Sequence, residues 1–217
     1  MKKILFSIFL TFICFNFFAN DINAASGKAH IYYLDSARER TYTLGSTHLN
    51  SMGYNVFGHK NSTAGNAFLS LQESSVFVVH DHGSPGAQRV GNSQQAIVAI
   101  GASGASYSVK NKLPRCFDLD LVILYGCETG KVLTAFGDLP KELVAKGAKT
   151  AVAWTVTTYV SEVNDWNGNF FEKAKTDNVV ESYRHADYWL RYYSGDTAGD
   201  RMQLNRNEKG NIYISIH

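Results

Sequence analysis

Cysteine is scarce in this 217-residue chain: of three in all, Cys14 falls in an apolar leader, which leaves Cys116 and Cys127. That excludes a small scaffold stapled by disulfides. Charge of a single sign is lacking too. The formal net charge is +2 and no run of Lys or Arg occurs, so the electrostatic footprint of a nucleic-acid binder is missing. No apolar run reaches the ~20 residues of a membrane-spanning helix. No internal repeat, linker or low-complexity segment divides the chain. The remaining length suits one domain with a sizeable core.

The start reads as a secretory signal peptide. Lys2 and Lys3 precede an apolar stretch over 4–18, then a polar and small-residue stretch over 20–25. The expectation is a signal peptide at 1–24, a single domain over 25–217, an extracytoplasmic or secreted location and no membrane attachment after cleavage. In an oxidising compartment a Cys116–Cys127 disulfide is the default. The strand expected at 119–124 argues against it, because it separates the thiols by roughly 20 Å at ~3.3 Å per residue, against about 5.5 Å between bridged Cα atoms. Both are expected free.

Two stretches organise the rest. Residues 119–124 form an apolar, partly β-branched run that stops at Gly126-Cys127, and 75–79 form another that delivers His80-Asp81-His82-Gly83. Such runs read as buried strands of a parallel sheet, and the carboxyl ends of such strands are where open α/β sheets place their chemistry. Further strands are expected at 29–34, 54–57, 149–155 and 211–216, with a β-hairpin from 96–100 and 105–109. Helices are expected from about 36 to Met52 with a stop at Gly53, over 66–71, and over 139–146 with Pro140 in the first turn. Two more follow: one carries Trp166, Phe170 and Ala174 on a face, the other Val179, Tyr183, Ala186, Leu190 and Tyr193. Residues 84–95, rich in Gly, Ser, Asn and Gln, read as an exposed loop. Strands alternating with helices imply a mostly parallel sheet covered on both faces.

A thiol and an imidazole at one sheet edge are the minimum for a cysteine nucleophile with its general base. The alternatives are a buried inert cysteine and a loop histidine. His80 and His82, at i and i+2, also share a strand face on which a metal would fit. No second pair of ligands stands at suitable spacing, so neither a metal nor another cofactor is expected. His30, His48, His59, His185 and His217 read as surface or core.

His82-Gly83 after one strand and Gly126-Cys127-Glu128-Thr129-Gly130 after the next resemble the caspase-like (clan CD) cysteine peptidases, in particular CHAT domains and their clostripain and gingipain relatives. The CHAT cysteine typically sits in Ala-Cys-Glu-Thr-Gly; here Gly126 replaces the alanine. The passage over 143–153, with Trp154 behind it, and the helical stretches 166–171 and 179–186 extend the likeness. The resemblance implies an α/β fold, a caspase-like three-layer α/β/α sandwich on a six-stranded, mostly parallel sheet. It implies a His82–Cys127 dyad, an oxyanion hole from the backbone amides of Gly83 and Cys127, and a peptide or protein substrate. It maps the pocket for the residue before the scissile bond to Asp35, Tyr125 and Trp154. An acidic Asp35 would suit a basic residue there, Tyr125 lends that no support, and Asp35 equally suits a helix cap. Trp154 is pocket wall or core. The expected activity is that of a secreted cysteine endopeptidase. The rivals are a catalytically silent binding module on the same fold and a thiol-dependent acyl hydrolase or transferase.

Overall fold

The structure, a computed structural model, describes residues 27–91, 99–116, 118–134, 137–204 and 206–217. The expected leader, 1–24, lies outside the described residues. The main sheet has six strands: β1 (Lys28–Tyr33), β2 (Asn55–Lys60), β3 (Val76–His80), β8 (Leu121–Leu124), β9 (Thr150–Trp154) and β10 (Arg206–Gly210). Their order is β10-β9-β8-β3-β1-β2, parallel except for β10, which pairs antiparallel with β9. The β-branched runs take the central positions because both faces there are covered.

Alternate residues of each strand feed two apolar layers. Ile31, Val78, Ile123 and Val152 meet α1 (Glu39–Ser51), α5 (Val160–Ala174) and α6 (Val179–Ser194) on one face. Phe77, Val79, Val122 and Ala151 meet α2 (Ala64–Ser70), α3 (Val109–Lys112) and α4 (Leu139–Ala145) on the other. Each fully buried Val, Ile or Phe contributes about 1.5–3 kcal/mol relative to an exposed one. The strand parity therefore decides which residues can leave the core. α4 begins as expected: Asp138 caps it through a bond from Lys141 N, and Pro140 sits in its first turn. α1 is followed by Gly53 at φ 90°.

Four expectations are corrected. Residues 211–216 are not a strand; the strand is the polar 206–210, closed by Gly210 at φ 93°. The alternation of Ile212, Ile214 and Ile216 is real burial, but against α6: the carbonyls of Ile214 and Ile212 accept from Val179 N and Val180 N, two of the amides a helix start leaves without partners. The hairpin over 96–109 is not formed. β6 (Ala99–Gly101) pairs antiparallel with β5 (Ala87–Arg89) and parallel with β7 (Tyr107–Ser108), because the 102–106 excursion, tied back by Ser108 Oγ and Lys110 N to the Ala102 carbonyl, returns the chain in its original direction. Residues 92–98 lie outside the described residues. The stretch 84–95 is not wholly loop: Gly83–Ser84 (β4) and β5 form a tight hairpin. Tyr193 leaves the buried face of α6 and is 65% exposed, and a further helix, α7 (Asp196–Leu204), follows.

Candidate active site

β3 and β8 are neighbours in parallel register, Val76 opposite Leu121 and Val79 opposite Leu124. Tyr125 N continues the ladder by donating to Val79 O at 2.8 Å. Both chains then leave the sheet at the same carboxyl edge. His82 follows β3 and Cys127 follows β8, so the parallel pairing brings the two sequence candidates onto adjacent loops.

The loops are locked together from the residues upward. Gly83 packs on the backbone of Gly126 and Cys127: a Cβ there would lie 2.6 Å from the Cys127 carbonyl oxygen and 2.6 Å from the Gly126 carbonyl carbon. Glycine is needed here for space rather than for its dihedral freedom. Pro85 and Gly86, the latter at φ 73°, turn β4 into β5. Gly86 N then donates to Glu128 O at 3.3 Å, and Arg89 N to His82 O at 3.0 Å. The buried Asp81 carboxylate receives His82 N and Gly91 N, each at 2.5 Å. Burial pushes its pKa up, against the pull of those two amides. The carboxylate thus folds the 82–91 segment around itself. On the other loop, Glu128 stands at φ 55°, a left-handed conformation uncommon for a side chain of this kind. It is held by Glu128 N to Val156 O (3.0 Å), Lys131 N to Glu128 O (2.9 Å) and an ion pair with Lys131 at 3.0 Å.

The thiol of Cys127 is half-buried. Its sulfur lies 3.7 Å from the Thr158 carbonyl oxygen and 3.9 Å from Thr158 Oγ1. Thr158 Oγ1 spends its own proton on Tyr125 O at 2.6 Å, so towards sulfur it only accepts, and the S–H donates. His82 is exposed, and its ring takes no hydrogen-bond partner among the described residues. The thiol therefore rests on Thr158 rather than on the imidazole. The Cys127 amide has no acceptor among the described residues. Cys116 is buried, donates towards Pro114 O and is not bridged to Cys127; burial pushes its thiol pKa up.

The expected pocket of Asp35, Tyr125 and Trp154 is not assembled. Tyr125 and Trp154 sit at the strand parity that faces α5, and neither side chain reaches solvent. Their rings stack at 5.0 Å, Tyr125 Oη donates to Asn167 Oδ1 at 3.1 Å and Trp154 Nε1 to Met202 O at 2.8 Å. Asp35, just past β1, accepts from Arg38 N at 3.2 Å and pairs with Arg38 Nη1 at 2.6 Å. Burial would raise its pKa, but the guanidinium and its bonds outweigh burial and hold it below the usual value. Asp35 lines a shallow pocket of about 360 Å³ with Leu34, Ser36, Lys60 and Asn61, to which Cys127 does not contribute.

His80 turns inward. Thr41 Oγ1 donates to Asn164 Oδ1 at 2.8 Å, so at its 2.6 Å contact with His80 Nδ1 it accepts, which puts the ring proton on Nδ1. Burial, aided by the Arg38 charge, lowers the His80 pKa to about 3. Its neutral ring is committed to the core while His82 faces out, so the two do not converge on a metal. No cluster of three or more His, Cys, Asp or Glu is placed to hold one among the described residues. Sequence reasoning missed Thr158 and Gln88. The only signal near Gln88 was the Pro85-Gly86 pair, which marks a turn between short strands.

No family model matches the chain, and no curated protein matches it in sequence. Solved structures do match in shape. The chain superimposes on RgpB of Porphyromonas gingivalis, in the complex of its pro- and mature domains, with a TM-score of 0.65 at 12% identity, covering 90% of this chain and 49% of that one. It superimposes on separase of Saccharomyces cerevisiae, in the separase–securin complex, with a TM-score of 0.53 at 14% identity, covering 84% of this chain and 12% of that one. The chain thus spans about half of the first protein and a small part of the second.

Proposed function

We propose that this chain, whose fold is that of the caspase-like cysteine peptidases, is a cysteine endopeptidase acting on peptide or protein substrates through Cys127 and His82. In this reading the thiol swings from Thr158 towards His82, which takes its proton. The thiolate attacks the scissile carbonyl, and the Cys127 and Gly83 amides stabilise the oxyanion. His82 then protonates the departing amine, and water attacking the acyl-enzyme releases the second product. The observation that carries the reading is the joining of the two loops: Gly83 lies against Gly126 and Cys127 at the shared edge of β3 and β8, beside a Cys127 amide without an acceptor among the described residues. A preference for Arg or Lys before the scissile bond would rest on Asp35 alone, whose carboxylate is already shared with Arg38. A peptide panel varied only at that residue reads it.

The test is reaction of the folded protein with a peptidyl chloromethyl ketone, followed by mapping of the adduct. The expected result is alkylation at Cys127, none in Cys127→Ala, and slower reaction in His82→Ala. Alkylation that ignores His82, or none at all in a folded protein, refutes the reading. It would favour a silent binding module on the same fold, the alternative consistent with the thiol resting on Thr158.

A further inference from the structure

Between the two loops lies a side chain that the dyad chemistry does not use. Gln88, on β5, has no solvent exposure. Both ends of its amide are engaged. Nε2 donates to His82 O at 2.9 Å and to Arg89 O at 2.8 Å. Oε1 accepts from Gly126 N at 3.0 Å and, more weakly, from Thr129 Oγ1 at 3.4 Å. One end grips the backbone of the imidazole-bearing residue and the other grips the residue before the thiol. The geometry points to Gln88 as the positioning residue that sets the spacing of His82 and Cys127, an inference that rests on the peptidase reading above.

The chemistry of the position selects glutamine. It needs two donors on one side and an acceptor on the other, in a planar group that water does not reach. A primary amide supplies both from one rigid plane. A hydrocarbon would leave the Gly126 amide buried without an acceptor, and a carboxylate would set oxygen against two carbonyl oxygens. Gly126 admits this arrangement. A Cβ there would lie 2.7 Å from Gln88 Oε1 and 2.8 Å from Gly83 Cα. Thr129 Oγ1 is nearer still, so the glycine leaves room for the Gln88 amide, the Thr129 hydroxyl and the Gly83 backbone together. The hairpin that carries Gln88 is itself tied to the cysteine loop through Gly86 N and Glu128 O, so the amide sits on a rigid support.

The test uses two variants of the full chain. Gln88→Glu keeps the acceptor for Gly126 but loses the donors while ionised; protonated, it regains one of them. The rate of Cys127 alkylation by a peptidyl chloromethyl ketone, divided by the wild-type rate at the same pH, is expected to fall at least about tenfold between pH 5 and pH 8. A side chain that merely fills space would leave that ratio flat. Gln88→Leu is expected to lower kcat about 100-fold, the scale of a ~1 Å misplacement, with KM within about threefold of wild type. It should also speed hydrogen exchange at the Gly126 amide about tenfold or more. A flat pH ratio in Gln88→Glu, or unchanged Gly126 exchange in Gln88→Leu, overturns the assignment. Failure of both variants to fold overturns it in favour of a structural role. A wild-type protein that turns over no peptide refutes the peptidase reading instead, and the exchange measurement together with Cys127 alkylation by iodoacetamide then decides the positioning role alone.

Discussion

Replacing Gly83 with alanine puts a methyl group 2.6 Å from the Cys127 carbonyl oxygen and 2.6 Å from the Gly126 carbonyl carbon. Thr129 Oγ1 is nearer still and could rotate away, but these two neighbours are backbone, so no side-chain rotation relieves their contact. Ordinary carbon contacts lie at about 3.5–4.0 Å, so the histidine and cysteine loops must part by roughly 1 Å. Overpacking of this kind costs about 1–3 kcal/mol, which in a chain of this size lowers Tm by about 2–4 °C per kcal/mol. The chemistry should suffer more than the fold. A ~1 Å misplacement of reacting groups is worth about 100-fold in rate, and here it also moves the two proposed oxyanion donors apart. The assay pairs thermal unfolding with the rate of Cys127 alkylation by a peptidyl chloromethyl ketone. The expected outcome is a protein that still folds, melts a few degrees lower and reacts about 100-fold more slowly. Gly83→Ala reacting at the wild-type rate would refute the claim that contact between these loops sets the site.

Two further predictions concern stability. His80 stays neutral in the fold down to about pH 3, while in the unfolded chain it protonates near 6.5. The unfolded state therefore binds more protons in that window, and the stabilisation from this group, complete above pH 6.5, is lost as pH falls towards 3. At about 1.4 kcal/mol per unit, moving from pH 6.5 to pH 5 should cost about 2 kcal/mol in urea unfolding. His80→Gln should remove that part of the pH dependence; identical slopes in both proteins would contradict it. Asp187, nearly fully buried, holds Arg206 Nη1 at 3.1 Å and Trp166 Nε1 at 2.8 Å. Asp187→Ala should destabilise by about 3 kcal/mol, the lower end for breaking a buried pair, because Glu208 remains 3.0 Å from Arg206 Nε. A loss below about 1 kcal/mol in urea unfolding would refute this.

The α/β class, the central strands and the two residues at their ends were legible in the sequence because each is written locally. The apolar runs before His80 and Tyr125 have the length and branching of buried strands, and a parallel sheet sends both chains out at one edge. Tyr125 and Trp154 were legible in principle as well. Each continues the alternation of the strand before it, and that parity carries both rings into the layer beneath α5. Mapping Tyr125 to a pocket overrode that local pattern, and Trp154, left open between pocket wall and core, is core. The last strand was hidden for the opposite reason. Arg206–Gly210 is polar along its length, and only the free edge of β9 makes it a strand, while the more regular alternation beyond it is spent on α6. Asp35 gave two readings in the sequence, and Arg38, folded back onto its carboxylate, joined it to the turn before α1. Gln88 had no signature, since an amide in a Gly- and Ser-rich stretch looks solvated. It is buried because the β4–β5 hairpin lies across the cysteine loop, and the closeness of Gly83 to Gly126 is likewise a distance between segments more than forty residues apart. Periodicity determines which face of an element is apolar. Strand register and the packing of one loop on another determine which polar atoms meet, and those are properties of the assembled sheet.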